Sequence, residues 1–177
     1  MMIRISFYLA LTITITRADD LSSSRLSDHL IGFSSFIGKT YEGNFISSTK
    51  ENPMVDVLSF ERALNGSAIK IIHSVNDGEF GGETIIMWDS KEKSLRSWYF
   101  TSAGSLTLQD VEMKGEKFIS IEDVSHNQNG ITKVKTIIEL IHGDKLQKRT
   151  KYLMDNLWMD GNDMIYKHVI ARKPIFN

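Results

Sequence analysis

The sequence predicts an all-β fold of about ten antiparallel strands forming an up-and-down barrel, with one short helix near its N-terminus. Three observations carry that expectation. From residue 40 onward apolar residues recur with period two, turn-forming residues arrive about every ten positions, and no stretch between them is long enough for a crossover. Strands joined by short turns pair antiparallel with their sequence neighbours, because a parallel pair needs a connection of about a dozen residues. An open sheet of that many strands would expose two unpaired edges, and closure removes both. A two-sheet sandwich is the main competing architecture.

The elements follow in order. Residues 1–18 read as a cleavable targeting segment: Arg4 supplies the positive start, residues 5–15 an apolar run, and Thr16-Arg17-Ala18 small residues at the cleavage positions. The run falls short of the roughly 20 residues that a membrane-spanning helix needs. The alternation from Thr12 to Thr16 also suits a strand, but the continuous run from Tyr8 to Leu11 does not. The expected mature domain is therefore 19–177, in a secreted or periplasmic location. A helix is expected over 28–36, where Leu26, Leu30, Phe33 and Phe36 or Ile37 recur at helical spacing, Ser27 or Asp28 caps the start and Gly38 ends it. Strands are expected over 40–46, 55–64, 67–76, 83–89, 95–101, 105–113, 117–124, 131–141, 146–155 and 163–172. Among the turns between them are Asn65-Gly66, Asp77-Gly78, Gly81-Gly82, Lys114-Gly115, Asn129-Gly130, His142-Gly143 and Asp160-Gly161, mostly residues that tolerate positive φ.

Composition narrows the function. The 177 residues, 41% of them hydrophobic, suffice for one core. Lys and Arg number 21 against 22 Asp and Glu, so no basic stripe for nucleic acid is expected. Cysteine is absent, which excludes disulfides, zinc ribbons, thiol nucleophiles and covalently attached c-type haem.

The Asn65-Gly66 turn fixes a register. It pairs Leu58 with His73, Phe60 with Ile71, Glu61 with Lys70 and Arg62 with Ile69. Leu58, Phe60, Ile69 and Ile71 make their face the interior, and Arg62 and His73 share it, whereas Glu61 and Lys70 form a charge pair outside. An inward His and Arg suit a cavity that orients an anionic or hydrogen-bonding ligand. A histidine satisfied within the core and an arginine reaching solvent past the turn are the plainer reading. Trp88, Trp98 and Phe100 are candidate pocket walls, with Tyr99 on the face opposite Trp98 and Phe100. Lys145, Lys148, Arg149 and Lys151 read as a solvated outer surface. The glycines around residues 78–82 precede no helix and form no phosphate cradle, no histidines have metal-ligand spacing, and no serine sits on a nucleophile elbow. Asn65-Gly66-Ser67 matches a glycosylation acceptor.

Several segments carry a resemblance. Gly38-Lys39-Thr40-Tyr41-Glu42-Gly43 resembles the Gly-x-Trp opening of lipocalin-like barrels, with Tyr41 in place of Trp. Residues 60–66, 73–83 and 99–104 are similar to a bacterial family of lipocalin-like domains whose function is not established. That resemblance spans residues 36–166 and implies a calycin-type barrel and export, but no reaction. The chain also resembles nitrobindin-type haem barrels, through Gly38, Tyr41 and Gly43 at the opening and His168 on the last strand. There the resemblance implies haem ligation by His168. The expected role is to bind a small apolar or amphipathic molecule, without a cofactor unless haem is bound. An enzyme using His73 as general base and a packed barrel with no cavity are the other readings.

Overall fold

The computed structural model describes residues 25–124, 129–142 and 144–176. The expected targeting segment lies outside them. Among the described residues a closed barrel runs β1 (Thr40–Asn44), β2 (Val55–Ala63), β3 (Ala68–Val75), β4 (Phe80–Asp89), β5 (Ser94–Thr101), β6 (Leu106–Lys114), β7 (Lys117–Asp123), β8 (Ile131–Ile141), β9 (Lys145–Met154) and β10 (Leu157–Val169). Each strand pairs antiparallel with the next, and β10 closes on β1 through Tyr41 opposite His168 and Gly43 opposite Tyr166. Among the described residues no helix is long and apolar enough to cross a membrane.

The β2–β3 hairpin has the register that its turn predicts, with Leu58 opposite His73, Phe60 opposite Ile71 and Arg62 opposite Ile69. Its loop is longer than two residues: Leu64, Asn65 and Gly66 all take positive φ between Ala63 and Ala68. Outside the barrel Lys70 lies 3.5 Å from Glu61 and 3.8 Å from Glu83, as the alternation requires.

Two turn assignments change. Gly81-Gly82 lies within β4, and the turn before it is Asn76-Asp77-Gly78. Asp160-Gly161 lies within β10 at a register shift between Asp160 and Asp163. The β9–β10 turn is Asp155-Asn156, both at positive φ, 49° and 62°, the combination that tight hairpins select. β10 also ends earlier than expected. Beyond it Arg172 pairs with Glu42 at 2.6 Å and Asp77 at 2.8 Å, and the Ile175 amide donates to Ser74 Oγ, which lays the tail over the outer face.

The helix is a 3-10 helix, Asp28–Phe33, shorter than expected. It plugs the end of the barrel beside the β2–β3 hairpin, where the Ser27 amide donates to the Gly66 carbonyl at 2.9 Å. Leu30, Phe33 and Phe36 are fully buried and meet Phe60 and Phe118 in a tilted aromatic cluster. Burying each such side chain stabilises the fold by about 1.5–3 kcal/mol. The packed core is thus concentrated at the plugged end.

Candidate functional site

Above that plug the barrel is hollow. A cavity of about 280 Å³ is walled by Leu58, Ile71, Ile86, Phe118 and Ile138, with Phe45 and Phe80 towards the other end. Its volume falls just below the range of ordinary small-molecule pockets, roughly 300–1,000 Å³, so it suits a small ligand. One side is polar, where His73, Asp56, Tyr99 and Lys148 reach it from β3, β2, β5 and β9.

These groups form a chain. His73 Nδ1 lies 3.1 Å from Asp56 Oδ1, and His73 Nε2 lies 2.8 Å from the Tyr99 hydroxyl. Asp56 also accepts from the Tyr166 hydroxyl at 2.8 Å and lies 3.8 Å from Lys148 Nζ. Its side chain is only 1% exposed, so these donors stand in for water. Burial pushes the Asp56 carboxyl up, but the His73 hydrogen bond, the charges of Lys148 and His73 and the Tyr166 hydrogen bond outweigh it and hold the group below the usual range. Burial, with the charges of Asp56 and Glu122 adding to it, pushes Tyr99 up to about 12. Tyr166 is pushed up further by burial and by Asp56. Glu122 on β7 is raised by burial despite a hydrogen bond from Gln109.

Two glycines make this geometry accessible. Gly82 faces His73 across β3 and β4, and a Cβ there would strike the Tyr99 ring. Lacking one, β4 lets Tyr99 lean over it from β5 and reach His73 on β3. Gly43 lies between Tyr166 and Asp56, and a Cβ there would come within 2.8 Å of Tyr166 Cγ. The Tyr166 ring crosses β1 above Gly43 to reach Asp56 on β2. A strand glycine thus marks close approach by a neighbouring side chain.

Comparison with family models returns no match, and comparison with curated proteins returns none either. The site therefore stands on its geometry.

Of the residues expected from the sequence, His73 lines the cavity. Arg62 shares its face of the hairpin but sits at the plugged end, about 13 Å away along the strand. There Arg62 Nε donates to the Arg25 carbonyl at 3.2 Å. Phe60 is fully buried in the aromatic cluster below the cavity. Trp88 stacks on His29 with ring centroids 3.7 Å apart. Trp98 and Phe100 lie on the outer face, where Phe100 is 47% exposed, and the inward positions of β5 belong to Leu95, Ser97 and Tyr99.

His168 is not a cavity wall; its ring is tilted against Tyr41 with centroids 5.8 Å apart. The cavity wall does not include this histidine, so a haem within that cavity would not meet His168.

Sequence reasoning missed Asp56, Tyr99, Lys148 and Tyr166 as site residues. Lys148 is not part of the outer surface: it shares the inner face of β9 with Leu146 and Thr150. Asp56 was legible too, since Asp56, Leu58 and Phe60 share one parity and a carboxylate on an apolar face needs partners.

Proposed function

We propose that this barrel binds a small apolar or amphipathic molecule in its central cavity, with the polar end of the ligand beside His73 and Tyr99. The observation that carries this reading is the 280 Å³ cavity, apolar around most of its wall and polar at one side. The closed barrel suits the lipocalin-like family that the sequence resembles, and the Arg4 to Ala18 pattern supports export to a secreted or periplasmic location.

The neutral dye phenylnaphthylamine tests the cavity. It should bind with enhanced fluorescence, and Thr84→Trp, which puts a large ring on an inward wall position, should weaken binding at least about tenfold with the protein still folded. Equal binding by the folded variant would place the dye elsewhere and remove the support. Export has its own test: the intact mass of protein from its native host should correspond to a chain beginning at Asp19. A mass retaining residues 1–18 would overturn that part.

A second reading is acid–base chemistry on the bound molecule. The observation favouring it is that Asp56 orients His73 as a carboxylate orients a catalytic imidazole. His73 Nε2 meets Tyr99, so any proton exchanged with a ligand would pass through the Tyr99 hydroxyl.

A further inference from the structure

The polar side of the cavity has a property that the binding reading does not by itself require. Asp56 accepts from Tyr166 and faces Lys148, and it is held ionised. An ionised carboxylate only accepts, so His73 Nδ1 carries the proton between them. In neutral His73 the other nitrogen, Nε2, is then an acceptor, and the Tyr99 hydroxyl 2.8 Å away donates its hydrogen bond to it. Tyr99 thereby offers the cavity only its oxygen lone pairs. Protonation of His73 reverses that bond. Nε2–H then donates to the Tyr99 oxygen, and the Tyr99 O–H is free to donate into the cavity.

The charges set which ligand gains from the reversal. The groups around His73 are Asp56 from β2, Tyr99 from β5, Lys148 from β9 and Tyr166 from β10, with Phe80 from β4 against its ring at 5.9 Å. Glu122 on β7 shares the inward parity of the cavity walls Phe118 and Ser120, accepts from Gln109 and acts on Tyr99, so it is the anion that a ligand's head group must outcompete. In direct reach of His73, Asp56 and Lys148 balance each other, so a protonated His73 adds one positive charge to the polar side of an apolar space. A buried charge of that kind needs a partner. An anionic head group beside Tyr99 supplies the partner and accepts the released O–H.

Resting on the binding reading above, we infer that the cavity takes an amphiphile with an anionic head group and takes up one proton at His73 as it does so. Proton and anion are then reciprocally linked: each raises the affinity for the other.

The probes are anilinonaphthalene sulfonate, whose sulfonate stays ionised throughout, and phenylnaphthylamine, its uncharged relative. Calorimetry in two buffers of different ionisation enthalpy, from about pH 6 to pH 9, counts the protons bound with each dye. Proton uptake with the sulfonate, of up to one per dye, is expected, with sulfonate affinity falling as pH rises by up to about tenfold per pH unit relative to the neutral dye. In His73→Gln the ratio of the two affinities should lose its pH dependence. If that variant does not fold, Tyr99→Phe should lower sulfonate affinity about tenfold relative to the neutral dye.

No proton uptake with the sulfonate, a pH dependence that survives His73→Gln, or one that is removed by Glu122→Gln would each overturn the inference. Binding of the neutral dye alone would overturn it and leave the cavity reading intact. If neither dye binds, the cavity reading falls and this inference with it.

Discussion

Tyr41 and Tyr166 show how much a single hydroxyl depends on its partner. Both side chains are fully buried, and both belong to the β1–β10 seam. Tyr166 donates to a buried carboxylate, whereas the Tyr41 hydroxyl is buried with no hydrogen-bond partner among the described residues. Burial, with the charge of Asp144 adding to it, pushes Tyr41 up to about 12, as expected of a hydroxyl kept neutral. Removing one partner of a buried charged hydrogen bond costs about 1.5–3 kcal/mol, whereas removing an unpaired polar atom costs little. Tyr166→Phe should therefore lower unfolding free energy by about 2 kcal/mol, and Tyr41→Phe should leave it within about 0.5 kcal/mol or raise it. Urea unfolding of both variants checks this. Equal losses would mean that the Tyr166–Asp56 hydrogen bond contributes no more to stability than the unpaired Tyr41 hydroxyl does.

At the level of strands, legibility followed local parity. The β2–β3 register was readable because Asn65-Gly66 links two clearly alternating runs, and inserting residues symmetrically about that turn does not shift the pairing. The orientation of β5 was not readable. Its turn from β4 covers several polar residues with no unique centre, so Tyr99 could not be told from Trp98 and Phe100 as the inward set. Asp160-Gly161 misled for a different reason. Glycine is present there because a Cβ would strike the Tyr152 ring, a packing demand that looks like a turn signal in one dimension.

The same demand gives a prediction at Gly43. Alanine is compatible with its backbone, so any cost of Gly43→Ala comes from the Tyr166 ring and the Ile165 carbonyl beside it. The substitution should cost about 1–3 kcal/mol, the usual range for overpacking. In a Tyr166→Leu background the cost should shrink by at least about 0.5 kcal/mol, since contacting residues couple. Additive losses would show that Tyr166 is not what Gly43 accommodates.

Across the whole molecule, Asp56 is where distant parts of the barrel meet. Through His73, Tyr166 and Lys148 its carboxylate joins β2 to β3, β10 and β9, and through His73 it reaches Tyr99 on β5. These strands enclose the cavity, so the polar side that suits a ligand also ties the hollow half of the barrel together. Its folded-state titration lies below that of an unfolded aspartate, which is about 3.9. A depressed carboxylate contributes stability that is present above the unfolded value and is lost as pH falls through the folded one. Glu122 runs the other way: its raised titration favours the fold at low pH and is a cost once it ionises. Unfolding free energy should thus decline from about pH 5 downward. Asp56→Asn should be less stable at neutral pH and show a shallower decline in that acid range. The loss should also be global, because protonating one carboxyl weakens contacts on five strands at once. Near-ultraviolet signals from the aromatic residues and far-ultraviolet signals from the sheet should therefore fall together in an acid titration. An acid limb equally steep in Asp56→Asn would mean that other carboxylates carry the pH dependence and that the Asp56 cluster is a local feature of the cavity wall.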